Sequence, residues 1–145
     1  KLLPFANTLV EMQMTGAEIK TVLEEALDYA LQPDGSDGAY PYAAGLRWHL
    51  DISKPMGERL SGMEFKGRDD NSWMPLGMNT SYTLVTNNYV AGGRDGYLSF
   101  KTVKNDGRYV DTYLEYAQSF VDYVEERGTI TKLPASEYST QSITR

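Results

Sequence analysis

The sequence predicts an α+β fold: a mixed α/β layered domain with a β-sheet and two main helices, occupying residues 1–145 as one unit. Three observations carry this. Thr8 to Met14 alternates apolar and polar residues and runs straight into an apolar pattern of helical period. Two further alternating runs flank a Pro/Gly turn in the middle of the chain. A second pattern of helical period follows Asp111.

The first strand follows Pro4. Val10, Met12 and Met14 fall on one side and Glu11 and Gln13 on the other, the period of a half-buried strand. Thr15 and Glu18 then form a capping-box pattern. Ile19, Val22, Leu23, Ala26, Leu27 and Ala30 repeat at helical spacing until Gln32-Pro33-Asp34-Gly35 stops the run.

From Leu46 to Ile52 the apolar Leu46, Trp48, Leu50 and Ile52 alternate with Arg47, His49 and Asp51. A turn at Lys54-Pro55-Met56-Gly57 leads to a second alternation around Ser61, Met63 and Phe65, so a hairpin or short meander is expected. Gly67 to Ser72 reads as a polar turn. Ser81 to Asn88 is a further β-rich run, ending in a glycine-rich loop at Ala91 to Gly96. After the turn Lys104-Asn105-Asp106-Gly107, Asp111 is expected to cap a second helix whose apolar face is Leu114, Ala117, Phe120, Val121 and Val124, with Gly128 ending it. The polar tail after Leu133-Pro134 is expected on the surface or only partly ordered.

Composition narrows the function. The 145 residues are 41% hydrophobic, enough for a single core of ordinary size. A net charge of -6 argues against a surface built to hold nucleic acid, which needs clustered Lys and Arg. No apolar run is long enough for a transmembrane helix. Cysteine is absent, which excludes disulfides and thiolate metal sites and leaves the compartment open. The opening Lys1-Leu2-Leu3-Pro4 is neither a signal peptide nor an initiator methionine, so the chain is expected to belong to a longer polypeptide.

Few residues suggest chemistry. The single histidine, His49, stands in an alternating strand without a second ligand at metal-binding spacing, and reads as a surface residue of the sheet. Glu24-Glu25 and Asp69-Asp70 read as solvated charge. The segment from Asn87 to Tyr97 differs: after a strand it brings together three glycines, the carboxylate of Asp95 and the rings of Tyr89 and Tyr97. Glycines permit close backbone approach. A carboxylate can accept two hydrogen bonds from a ribose diol, and a ring can stack on a base. The same residues also suit a tight turn in which Asp95 bonds its own backbone, and the pattern alone leaves both readings open.

The opening Leu3-Pro4-Phe5-Ala6-Asn7-Thr8, the Met14-Thr15-Gly16 helix start, the Gly38-Ala39-Tyr40 to Gly45-Leu46-Arg47 stretch and the Tyr89 to Tyr97 loop come in a recognisable order. Together they resemble the C-terminal domain of 5'-nucleotidases, a family that includes ecto-5'-nucleotidases, periplasmic UDP-sugar hydrolases and NAD nucleotidases. The resemblance runs from the start nearly to the second helix.

It implies an aromatic clamp on the base from Phe5 and Tyr89, at roughly 1 to 3 kcal/mol per stacked face. It also implies ribose binding by Asp95, contact of Asn7 with the base edge, and close approach allowed by Gly92 and Gly93. Two positions depart from the family pattern. Arg94 stands where glycine is usual, as in the NAD nucleotidase branch, where the added charge suits a second nucleotide or pyrophosphate; Tyr89 replaces a common phenylalanine.

The implied partners are a nucleotide or nucleoside substrate and an N-terminal metallophosphatase domain of the same protein. That domain would hold two divalent metal ions and leave none to this chain. The implied location is periplasmic, secreted or at the cell surface. Three rival readings accompany this one: an NAD or UDP-sugar pyrophosphatase of the same family, a non-catalytic nucleoside-binding surface module, and a structural domain whose aromatics only fill a core. The last requires Phe5 and Tyr89 to be buried.

Overall fold

The computed structural model describes residues 5–145; the Leu3-Pro4 part of the opening motif lies outside them. Strand β1 (Thr8–Thr15) feeds directly into helix α1 (Gly16–Leu31). The junction is a complete capping box: the Thr15 hydroxyl accepts the Glu18 amide, and the Glu18 carboxylate accepts the Thr15 amide at 2.8 Å. The first free amides of α1 are satisfied from outside, Gly16 donating to Thr80 O and Ala17 to Met78 O. Val10, Met12 and Met14 have no solvent exposure, as the alternation predicts.

The hairpin also forms, from β2 (Leu46–Asp51) and β3 (Leu60–Phe65), followed by the short β4 (Met74–Pro75). Next come β5 (Ser81–Asn87), the one-turn helix α2 (Asn88–Ala91) and helix α3 (Leu98–Asn105). Strand β6 (Tyr109–Glu115), helix α4 (Tyr116–Arg127) and strand β7 (Thr140–Thr144) complete the chain.

The strands make two sheets, ordered β5-β1-β6 and β4-β3-β2-β7. β1 is antiparallel to both its neighbours, whereas β7 lies parallel to β2. One continuous apolar core joins them: Met12 and Met14 of β1, Val22 and Leu27 of α1, Trp48 of β2 and Val103 of α3 all meet in it.

The mixed helix-and-sheet class is the observed one, with two sheets and four α-helices among the described residues where the sequence suggested a sheet and two main helices. Three elements differ from expectation. Asp111 does not cap a helix; it lies within β6, where its carboxylate accepts the Thr8 hydroxyl at 3.0 Å, and the helix begins five residues later. Pairing with β1 outweighs the local helical pattern here. α4 buries none of its residues, and Leu114, expected on its apolar face, belongs to β6 and is exposed.

The tail lies largely at the surface, one of the two expected outcomes, but it is not without structure, because β7 finds the open edge of β2 and extends the second sheet. Glu24 and Glu25, read as solvated, are anchors. Glu24 is 1% exposed and accepts the amides of Leu60 at 2.6 Å and Gly57 at 2.9 Å. It ties the β2–β3 hairpin to α1. His49 is exposed as expected, with Nδ1 2.7 Å from the Ser142 hydroxyl.

Candidate functional site

The two ends of the candidate site meet because β1 and β5 are antiparallel. Leu9 pairs with Asn87, so the segment entering β1 and the segment leaving β5 emerge at the same end of the sheet. Phe5 lies on the first and Tyr89 on the second, and both rings are open to solvent, 68% and 47% exposed. Core-filling aromatics would be buried, so the purely structural reading does not describe these two. A hydrogen bond from the Thr8 amide to Asn88 Oδ1 at 3.2 Å ties the segments together. Asn7 is half-buried, and its carbonyl accepts the Tyr116 amide at 3.0 Å.

Tyr89 sits in the single turn of α2. Asn87 holds that turn by accepting the amides of Tyr89 at 3.0 Å and Val90 at 3.1 Å, the geometry of an asparagine N-cap. Asn87 and Asn88 open the segment that the sequence singled out but were given no role there, although an Asn-Asn pair at the end of a β-rich run is a recognisable helix-start signal. Gly92 (φ −78°) closes α2, and the positive φ values of the loop fall on Gly93 (83°), Asp95 (53°) and Gly96 (82°). A left-handed aspartate is uncommon and must be held by its surroundings.

Part of that hold comes from Tyr89, whose hydroxyl donates to Asp95 Oδ1 at 3.1 Å. The bond to the carboxylate, together with its negative charge, pushes the Tyr89 phenol above its ordinary pKa. The turn expected from the sequence is present, with the Tyr97 amide donating to Arg94 O at 3.0 Å. The Asp95 side chain, however, engages Tyr89 across the loop. Arg94 is exposed and enters no ion pair among the described residues.

The far side of the loop rests on α1 and α3. A Cβ on Gly96 would lie 2.5 Å from Tyr29 Cβ, so only glycine fits the space as well as the φ. Tyr97 is fixed by a bond from its hydroxyl to Ala39 O at 3.1 Å and by stacking on Phe100, and burial pushes its phenol up to about 12. The loop thus presents an exposed ring, a paired carboxylate and an exposed guanidinium on a rigid support. That suits binding of a ring-bearing polyol.

Among the described residues no group of three or more His, Cys, Asp or Glu side chains is placed to hold a metal ion. A separate cleft of about 570 Å³ lies against β7, lined chiefly by Tyr40, Tyr42, Leu133, Tyr138, Thr140 and Ile143. Glu137 on its rim is held by Lys66 Nζ at 2.6 Å.

The family model for the 5'-nucleotidase C-terminal domain matches residues 1–104, from the opening motif through the glycine-rich loop and most of α3. The chain belongs to this family. The NAD 5'-nucleotidase of Haemophilus influenzae is 43% identical over 127 residues, covering 86% of this chain and 21% of that protein. A probable 5'-nucleotidase of Treponema pallidum is 39% identical over 124 residues, covering 85% and 21%. Among solved structures, the NAD nucleotidase of Haemophilus influenzae superposes with a TM-score of 0.86 at 37% identity, covering 99% of this chain and 25% of that one. This family chain therefore spans about a fifth of the length of the curated relatives it matches.

Proposed function

We propose that this chain is the nucleoside-gripping part of a periplasmic or secreted, metal-dependent 5'-nucleotidase. Phe5 and Tyr89 clamp the base, Asp95 accepts the ribose hydroxyls, Asn7 contacts the base edge, and Gly92 and Gly93 let the ligand approach the backbone. Two divalent ions in an N-terminal metallophosphatase domain activate water and stabilise the leaving oxygen, the chemistry that such a pair supplies. No residue of this chain is assigned to that step.

The observation that carries the reading is the pairing of an exposed Tyr89 with Asp95 at 3.1 Å, at the sheet end from which the exposed Phe5 also emerges. The Tyr89 hydroxyl donates to the carboxylate that a diol would engage. Its ring remains open for stacking. Membership of the 5'-nucleotidase C-terminal domain family supports the nucleotide as ligand.

Saturation-transfer NMR of the intact protein with adenosine tests this. Transfer to the adenine protons is expected in the wild type and is lost in Tyr89→Ala; undiminished transfer in the variant sinks the clamp. A dinucleotide of the NAD type is the second reading. Arg94 favours it, being a cation beside the ribose carboxylate with no ion-pair partner among the described residues. It predicts that Arg94→Gly raises KM for NAD more than KM for AMP, and an equal effect on both removes it.

A further inference from the structure

Helix α3 begins directly after the glycine-rich loop, yet its N-cap residue, Tyr97, makes no side-chain cap bond. The first amides of a helix need acceptors, and an acidic group there also gains from the helix dipole. In this fold the acceptor comes from another helix. Glu25 of α1 accepts the Ser99 amide at 2.8 Å through one carboxylate oxygen and the Ser99 hydroxyl at 2.6 Å through the other.

One turn further along α1, Tyr29 lies so close to Gly96 that no side chain fits between them, and the Glu25 carbonyl lies 3.2 Å from where a Gly96 Cβ would stand. The segment Gly96 to Ser99 is thus docked on α1 at both ends. Asp95, in its left-handed conformation, is the residue immediately before that docked segment.

We propose that Glu25 is a positioning residue for ribose recognition: by capping α3 from α1 it fixes the loop that aims the Asp95 carboxylate. This rests on the reading of Asp95 as the ribose ligand. Glu25 touches no substrate; it acts through Ser99 and the backbone leading back to Asp95. A ligand group displaced by about an ångström loses much of its effect, so the consequence falls on discrimination for the ribose hydroxyls.

The test measures kcat/KM of the intact enzyme for AMP and for its 2',3'-dideoxy analogue, whose ratio reports the diol contact. Asp95→Ala is expected to bring the ratio near one. Glu25→Ala is expected to lower it on the order of tenfold, mainly through KM for AMP. Glu25→Gln, which can still accept the amide and donate to the hydroxyl of Ser99, is expected to stay within about twofold of wild type. In an Asp95→Ala background, Glu25→Ala should change the ratio no further.

Ser99→Ala removes only the hydroxyl half of the fork, so it should fold and give an intermediate ratio if Glu25→Ala is too unstable to assay. An unchanged ratio in Glu25→Ala and Ser99→Ala, with Asp95→Ala collapsed, overturns the positioning role. An equal fall for both substrates does so too, since a general structural defect acts in that way. An unchanged ratio in Asp95→Ala instead overturns the reading of Asp95 on which this one stands.

Discussion

The Tyr89 hydroxyl donates to the Asp95 carboxylate at 3.1 Å, so the ring proposed to stack on a base and the carboxylate proposed to hold the ribose orient one another. The bond and the ring have separable effects. Tyr89→Phe should keep stacking and change KM for AMP by no more than about threefold, the value of one exposed hydrogen bond. Tyr89→Ala should lose roughly 1 to 3 kcal/mol of binding, about fivefold to 150-fold in KM. Steady-state kinetics of the intact enzyme separate the two, and equal effects would mean that the ring does not stack.

The same pair has a pH signature. Asp95 raises the Tyr89 phenol above its ordinary pKa because ionising it costs the hydrogen bond and places two negative charges side by side. Asp95→Asn removes the charge and should lower the Tyr89 midpoint. Ring-carbon NMR on selectively labelled tyrosine reads that midpoint directly. No movement would show that the two side chains are unpaired in solution.

Glu18 closes the capping box and also receives a two-pronged contact from Arg108, whose Nη2 and Nη1 lie 2.8 and 2.9 Å from its oxygens. The guanidinium, then the Thr15 amide, hold this carboxyl down from 4.5 to about 2. A depressed folded-state value contributes stability that is fully present above about 4.5 and is lost as pH falls toward 2. The stability difference between wild type and Glu18→Gln should therefore shrink across that window and stay level above pH 5. Denaturant titrations at several pH values give the difference, and one independent of pH would contradict the pairing. Both groups are about a third exposed, so solvent screening keeps the effect modest.

Glu24 is a stronger structural point. Glu24→Ala leaves the amides of Leu60 and Gly57 without their acceptor in a site with 1% exposure of the lost side chain, at a cost of about 2 to 5 kcal/mol. Glu24→Gln keeps one acceptor oxygen and should cost less. Calorimetry of the intact protein should show the transition of this domain several degrees lower in the alanine variant. A shift below one degree would mean that water replaces the carboxylate at no cost.

These tests divide along the line between what the sequence makes legible and what it does not. β1, α1 and the β2–β3 hairpin were readable because each is written in a short-range period: Val10-Met12-Met14 at spacing two, Ile19 to Ala30 at helical spacing, and Thr15 with Glu18 at the capping distance. Phe5, Tyr89 and Asp95 as a group were readable only through the family resemblance. From residue types alone, a tight turn suited Tyr89 and Asp95 better, and a core position at a strand start suited Phe5 better.

The sequence by itself determined the mixed class, the family, the core faces of β1 and α1, and a net negative charge. Tertiary structure alone decided that Asp111 lies in a strand, that the tail becomes β7, and that Glu24 and Glu25 anchor the hairpin and α3. Glu25 and Ser99 stand 74 residues apart, and Trp48 pairs with Thr140 from the far end of the chain. No local period records such partnerships. A carboxylate reads as solvated until the fold brings it an amide, and a helical pattern yields when an open strand edge lies within reach.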